Sequence, residues 1–133
     1  MTSKVIYTGS LRTEAEHLKS GAKIITDAPT DNHGKGEAFS PTDTVATALA
    51  SCMLTVMGIK ADDLKVNLKG TTAEITKTMA AEPRRISKVE IVITFPETYT
   101  PKSQKILEHT AKNCPVLESL HPNMEKIISF NYL

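Results

Sequence analysis

Two thiols are the groups in this chain best suited to covalent chemistry: Cys52 and Cys114, 62 positions apart. A thiolate is a nucleophile, a metal ligand or half of a redox pair, and its surroundings decide which. The spacing fits no zinc pattern, and the histidines at 17, 33, 109 and 121 do not cluster with the cysteines in the sequence, so no metal site is expected. C-x-x-C chemistry is excluded, because neither cysteine has a second one three residues away.

Each thiol carries two readings. Cys52 lies inside "SPTDTVATALASCMLTVMGIK" (40–60), the longest apolar run, which reads as a helix apolar on nearly every side. Its neighbours at helical spacing are Val45, Ala48, Leu49, Val56 and Ile59, so it faces the most apolar side. The inert reading is a small buried hydrophobe. The reactive reading needs a cation, because apolar surroundings favour the neutral thiol. The helix dipole does not supply it: Cys52 is 11 residues past Pro41, about 16 Å along the axis, and the dipole fades within a turn. An arginine suits best, since it stays charged when desolvated and presents a fork of donors. Arg12, on the polar side of an early strand, is the candidate; its competing reading is a surface partner of Glu14, and Lys35 is the next choice of cation.

Cys114 stands before a proline in "NCPVLESL". Proline disfavours the α conformation at the residue before it, so one helix ends here and a short one starts at Pro115. Unpaired N–H groups at that start favour a thiolate. Alternatively Cys114 is ordinary core, sharing a helical face with Leu107 and Ala111.

The elements that must position these groups are legible. Residues 3–26 read as strands, with Arg12, Glu14 and Glu16 on one face and Thr13 and Ala15 on the other. "PTDNHGKGEAFS" (29–40) is turn chemistry and reads as a mobile loop. Ser40, Pro41 and Asp43 form a helix start with a capping box. "LKVNLKG" and "TAEITKTMA" lead to "ISKVEIVITF", a strand whose Ile86, Val89, Ile91, Ile93 and Phe95 cover one face. "KSQKILEHTAKN" is an amphipathic helix, and "IISFNYL" is a closing strand. The order predicts a single α+β domain over 1–133: an antiparallel sheet packed on a long central apolar helix. One sheet covers only one side of that helix, so a second copy of the chain is expected on the other, in an obligate homodimer.

With 16 basic and 15 acidic residues in 133 and a net charge of +1, nothing in the chain looks like a nucleic-acid footprint. The start "MTSKVIYTGS" has no secretory h-region, which favours the cytoplasm and free thiols. The apolar core of the long helix, Val45–Ile59, is 15 residues, short of the roughly 20 a membrane span needs, so no membrane is expected.

"SPTDTVATALASCMLTVMG", followed some sixty residues on by "NCPVLESL", resembles the OsmC/Ohr family of osmotically inducible and organic-hydroperoxide-resistance proteins. The leading "GKGEAFSPTD" is most similar to its small OsmC-like branch. The resemblance implies an intertwined homodimer with sites at the subunit interface. It implies that Cys52 is the peroxidatic thiol, that Cys114 resolves it, and that Arg12 is the activating arginine. An organic hydroperoxide would be the substrate and an external dithiol the reductant, with neither metal nor organic cofactor. Where hydroperoxidases of this family carry glutamate after the helix-starting proline, this chain has Thr42. Asp43 falls on the far side of the helix from Cys52 and is expected to cap; Glu37 is the other carboxylate at hand. The competing readings are a non-catalytic small-molecule-binding dimer and a purely structural one, both with inert thiols.

Overall fold

Short alternating segments separated by turns dominate the first 27 residues, and they form an antiparallel meander. Its strands are β1 (Ser3–Gly9), β2 (Arg12–His17) and β3 (Lys23–Asp27), in that spatial order. Ser10 and Leu11 make the first turn with φ of 54° and 60°, the double left-handed conformation that matches the twist of a two-residue hairpin. At the second turn His17 N–H donates to Ala22 O at 2.8 Å, and the register that follows sets Arg12 directly opposite Asp27. The computed structural model describes residues 1–133, and the chain divides into two compact units, Met1–Val45 and Ala46–Leu133.

The loop after β3, expected to be mobile from its turn residues, is instead knitted by backbone hydrogen bonds. Asn32 and Gly34 N–H both donate to Pro29 O at 2.9 Å, and Gly36 N–H donates to Ala28 O at 3.2 Å. Gly34 has no substitute here, because a Cβ would lie 1.7 Å from the Ala28 carbonyl oxygen. The closed loop returns the chain to β3, where Asp27 N–H donates to Phe39 O at 3.1 Å.

Helix α1 (Pro41–Leu64) starts as the sequence predicts. Ser40 Oγ accepts from Asp43 N–H and Asp43 Oδ2 accepts from Ser40 N–H, both at 3.0 Å, which is the reciprocal capping box. At 24 residues it ends at Leu64, next to the stop expected near Gly58 to Asp63, where Lys65 takes a φ of 57°. By length and a mean hydropathy of 1.5 over 18 residues it is long and apolar enough to cross a membrane. One face of it (Ala46, Leu49, Ala50, Met53, Met57 and Ala61) is buried in the core of the chain itself, as in the core helix of a globular fold.

The second unit continues with β4 (Thr72–Ala80), β5 (Arg85–Phe95), α2 (Pro101–Ala111), α3 (Pro115–Ser119) and β6 (Glu125–Tyr132). The α+β class is as expected, but the sheet is not wholly antiparallel. Strands β4 and β5 are antiparallel, whereas β5 and β6 run parallel. The reason is the connection: α2 and α3 carry the chain back to the end of the sheet where β5 began, which a hairpin does not do. Along β5, Val89, Ile91, Ile93 and Phe95 alternate into a core shared with the buried face of α1, Leu107, Ala111 and Cys114. Phe95 stacks on its register partner Tyr132 at 4.7 Å between ring centroids and meets the edge of Tyr99 at 5.8 Å.

Because Phe95 is fully buried between two aromatic partners, Phe95→Ala should cost about 3–5 kcal/mol. Denaturant unfolding checks this: the midpoint should drop clearly, and a drop of under about 1 kcal/mol would place Phe95 outside the packed core.

Candidate active site

Arg12 and Asp27 are cross-strand partners at the end of the β2–β3 pair, and opposite charges so placed attract. The contact is two-pronged: Nε donates to Asp27 Oδ1 at 2.7 Å and Nη2 to Oδ2 at 2.8 Å. Asp27 Oδ2 also accepts the backbone N–H of Glu37 at 3.2 Å, an interaction that the closed loop makes possible. The Glu37 carboxylate touches Arg12 Nη2 more loosely, at 3.5 Å, from a side chain that is 66% exposed. The hydrogen bonds from Arg12 hold the Asp27 carboxyl below its ordinary 3.8 against the opposing effect of burial, and the charges of Arg12 and Lys35 add to this. Arg12 is correspondingly raised, chiefly by its hydrogen bond to Asp27. Beside this cluster, Ile24, Ile25, Gly36, Glu37, Ala38 and Phe39 line an open, mainly apolar cleft of about 560 Å³.

In the second unit, Cys52 and Cys114 are side-chain neighbours and their thiols interact. Neither forms a disulfide. Cys52 is half-buried rather than enclosed: with Val56 it packs partly against the core, at the border of the exposed face of α1 formed by Val45, Ala48, Ser51, Thr55 and Ile59, the last 65% exposed. Cys114 is fully buried and occupies the N-cap of α3, in the extended conformation (φ −71°, ψ 150°) that the following proline imposes. The backbone N–H groups of Leu117 and Val116 do favour its thiolate, as the helix start predicts. Burial outweighs them, and with the neighbouring Cys52 it pushes the Cys114 thiol up.

The two cysteines marked by the sequence therefore meet, and both readings of Cys114 hold at once: it is core and it is a cap. Arg12 is not a surface partner of Glu14, which pairs with Lys23 at 3.2 Å. Asp43 caps α1, as expected, and Glu37 does reach Arg12. Asp27 is the residue that sequence reasoning missed. A signal for it exists: counting back along both strands from the His17–Ala22 turn leads to Arg12 opposite Asp27.

The pair makes stability depend on pH in a defined sense. A carboxyl depressed in the folded state contributes fully above its ordinary 3.8 and loses that contribution as pH falls through the lower folded value. Asp27→Asn should therefore lower the thermal midpoint at neutral pH, and the gap to the parent should narrow once pH falls below about 4. A gap of constant size in acid would mean that the ion pair is not its source.

Comparison with known proteins bears on the whole chain. A family profile described as OsmC-like protein matches residues 34–128. A Psychrobacter arcticus 273-4 protein, named for an osmotic stress and detoxification response, is 58% identical with a TM-score of 0.96, over 98% of this chain and 96% of that one. An organic hydroperoxide resistance protein OsmC from Legionella pneumophila shares the fold at TM-score 0.76 and 18% identity, over 98% and 97% of the two chains. One from Elizabethkingia anophelis does so at TM-score 0.76 and 15% identity, over 100% and 97%. No match was found among curated proteins. By the extent of the family match and by the near-complete likeness to the Psychrobacter protein, this chain belongs to the OsmC-like protein family.

Proposed function

We propose that the chain is a thiol-dependent peroxidase that reduces organic hydroperoxides in oxidative stress defence. Membership of the OsmC-like family and the likeness to proteins named for organic hydroperoxide resistance support a role in the peroxide or stress response. The observation that carries the chemistry is the pairing of a half-buried Cys52 with a fully buried Cys114. A peroxide meets the outer thiol first, and the inner one is already in place to answer it.

In this reading the Cys52 thiolate attacks one peroxide oxygen and the O–O bond breaks. The alkoxide takes up a proton and leaves as the alcohol, and Cys52 becomes a sulfenic acid. The Cys114 thiol then gives up its proton and attacks the Cys52 sulfur, water leaves and a disulfide forms. An external dithiol returns both thiols, and neither metal nor organic cofactor takes part. Arg12 supplies the cation for the thiolate and the peroxide oxygen, which its planar fork of donors suits. The apolar cleft at Ile24, Ile25 and Phe39, within the usual range for small-molecule sites, favours the organic part of an alkyl hydroperoxide over hydrogen peroxide. The two units work as one domain over 1–133, in a cytoplasmic homodimer. Two surfaces support the dimer. One is the exposed apolar stripe of α1; the other is the β1–β3 sheet, which exposes Val5, Ile6, Tyr7, Ile24 and Ile25 and contributes no residue to the buried apolar core. The cleft also suits a second reading, a non-catalytic binding dimer with inert thiols.

Peroxide consumption separates the readings. Cys52→Ser should abolish turnover of cumene hydroperoxide with a dithiol, and Cys114→Ser should accumulate a sulfenic acid on Cys52 that a dimedone probe labels. Parental consumption by the Cys52 variant would sink the peroxidase and leave the binding dimer. In sedimentation, the protein should run at about twice its 14.5 kDa mass at micromolar concentration; a stable monomer would remove the interface from the proposal.

A further inference from the structure

A carboxylate taken out of water is costly unless its oxygens are fully engaged. Asp27 is 1% exposed, and both of its oxygens are used: Oδ1 by Arg12 Nε, Oδ2 by Arg12 Nη2 and by the backbone N–H of Glu37. These contacts grip one edge of the guanidinium. Arg12 Nη1, with two N–H groups, takes no part in them, and the Arg12 side chain remains 30% exposed. Glu37 contributes a single longer contact from solvent, and Lys35 adds its charge near Asp27. Thr42, where hydroperoxidases of the family have glutamate, bonds instead to Ser40 Oγ at 3.2 Å in the start of α1.

We propose that Asp27 is the positioning residue for Arg12, holding the guanidinium by its Nε–Nη2 edge so that the Nη1 end is left to meet the peroxide oxygen. The proposal rests on the peroxidase reading and names the carboxylate that it lacked. Two features make Asp27 rather than Glu37 the holder. A two-pronged contact fixes orientation where a single exposed contact does not. Asp27 is itself fixed, by strand pairing, by the Glu37 N–H and by its own N–H bond to Phe39 O. A group held from three sides pre-organises what it holds.

The test compares the parent, Asp27→Asn, Arg12→Ala and the double variant, all in a Cys114→Ser background. Stopped-flow oxidation of Cys52 by cumene hydroperoxide is followed across the pH range in which thiols titrate, alongside nitrogen–proton spectra of the arginine Nε–H groups. Arginines stand only at 12, 84 and 85, so the Arg12 signal is identified by its loss in Arg12→Ala. In the parent that signal should exchange slowly, and in Asp27→Asn it should lose its protection. Oxidation in Asp27→Asn should slow by about ten- to a hundredfold, the scale of a misplaced reacting group, and its pH profile should move to higher pH. The double variant should be no slower than Arg12→Ala. Asp27→Glu should recover part of the rate, and Glu37→Gln should slow it less than Asp27→Asn does. Parental rate in Asp27→Asn beside a slow Arg12→Ala would overturn the role of Asp27 and leave the peroxidase reading standing. A double variant slower than Arg12→Ala by the whole Asp27 factor would overturn it too, because Asp27 would then act independently. Parental rate in Arg12→Ala would overturn both this proposal and the activating role of Arg12. If Asp27→Asn does not fold, the parent decides alone: slow exchange of the Arg12 Nε–H supports the proposal, and exchange as fast as an exposed arginine's overturns it.

Discussion

A helix that is apolar all the way round must be covered all the way round, and this chain buries only one face of α1. The buried residues recur at helical spacing from Ala46 through Leu49, Ala50, Met53 and Met57 to Ala61, and they meet the inward residues of β5 and the inner face of α2. The face from Val45 through Ala48, Ser51 and Thr55 to Ile59 stays open. Cys52 sits at the margin of this division. A fully enclosed thiol meets no solute, and one on a polar surface has no apolar surroundings. The position of Cys52 between these extremes follows from how much of α1 the chain covers by itself.

Cys114 owes its place to a different constraint. Pro115 forbids an uninterrupted helix from Pro101 onward, so α2 ends and the chain turns with Cys114 in extended conformation. That break buries the cysteine beneath the core residues Leu107 and Ala111 and against Cys52. The N–H groups at the start of α3 favour a thiolate, but five residues of helix are a weak counterweight to full burial. Burial thus separates the two thiols: Cys114 is fully buried and its pKa is held up, and Cys52 beside it is the more accessible of the pair. The same neighbourhood that raises Cys114 sets it beside Cys52.

The Arg12 cluster rests on loop geometry rather than on a hydrophobic core. Asp27 is buried although few apolar side chains of the first unit are, because the loop from Ala28 to Phe39 folds back over it. Gly34 permits the close approach to Ala28, and Gly36, with φ of 63°, permits the turn that follows. The ion pair and the loop are thus mutually dependent, since Glu37 N–H completes the shell of Asp27 and Asp27 anchors Glu37. An arginine held this way loses little freedom on meeting a ligand, which a solvated arginine on a bare strand does not match.

What was legible in the sequence was local in origin. The capping box at Ser40 and Asp43, the alternation in β5, the break at Pro115 and the apolar circumference of α1 all depend on residues within a few positions of one another. The Cys-bearing helix and the "CP" pair carried the family resemblance for the same reason: they are contiguous strings. What only the tertiary structure decided depends on pairings across long separations. Strand β6 runs parallel to β5 because of how α2 and α3 return the chain, which periodicity in either strand does not encode. Cys52 is half-buried because burial is set by what the rest of the chain lays against a helix, not by the composition of the helix. Asp27, which nothing local in the sequence singled out, is the partner of Arg12 because register places residues fifteen positions apart side by side and a closing loop covers the carboxylate.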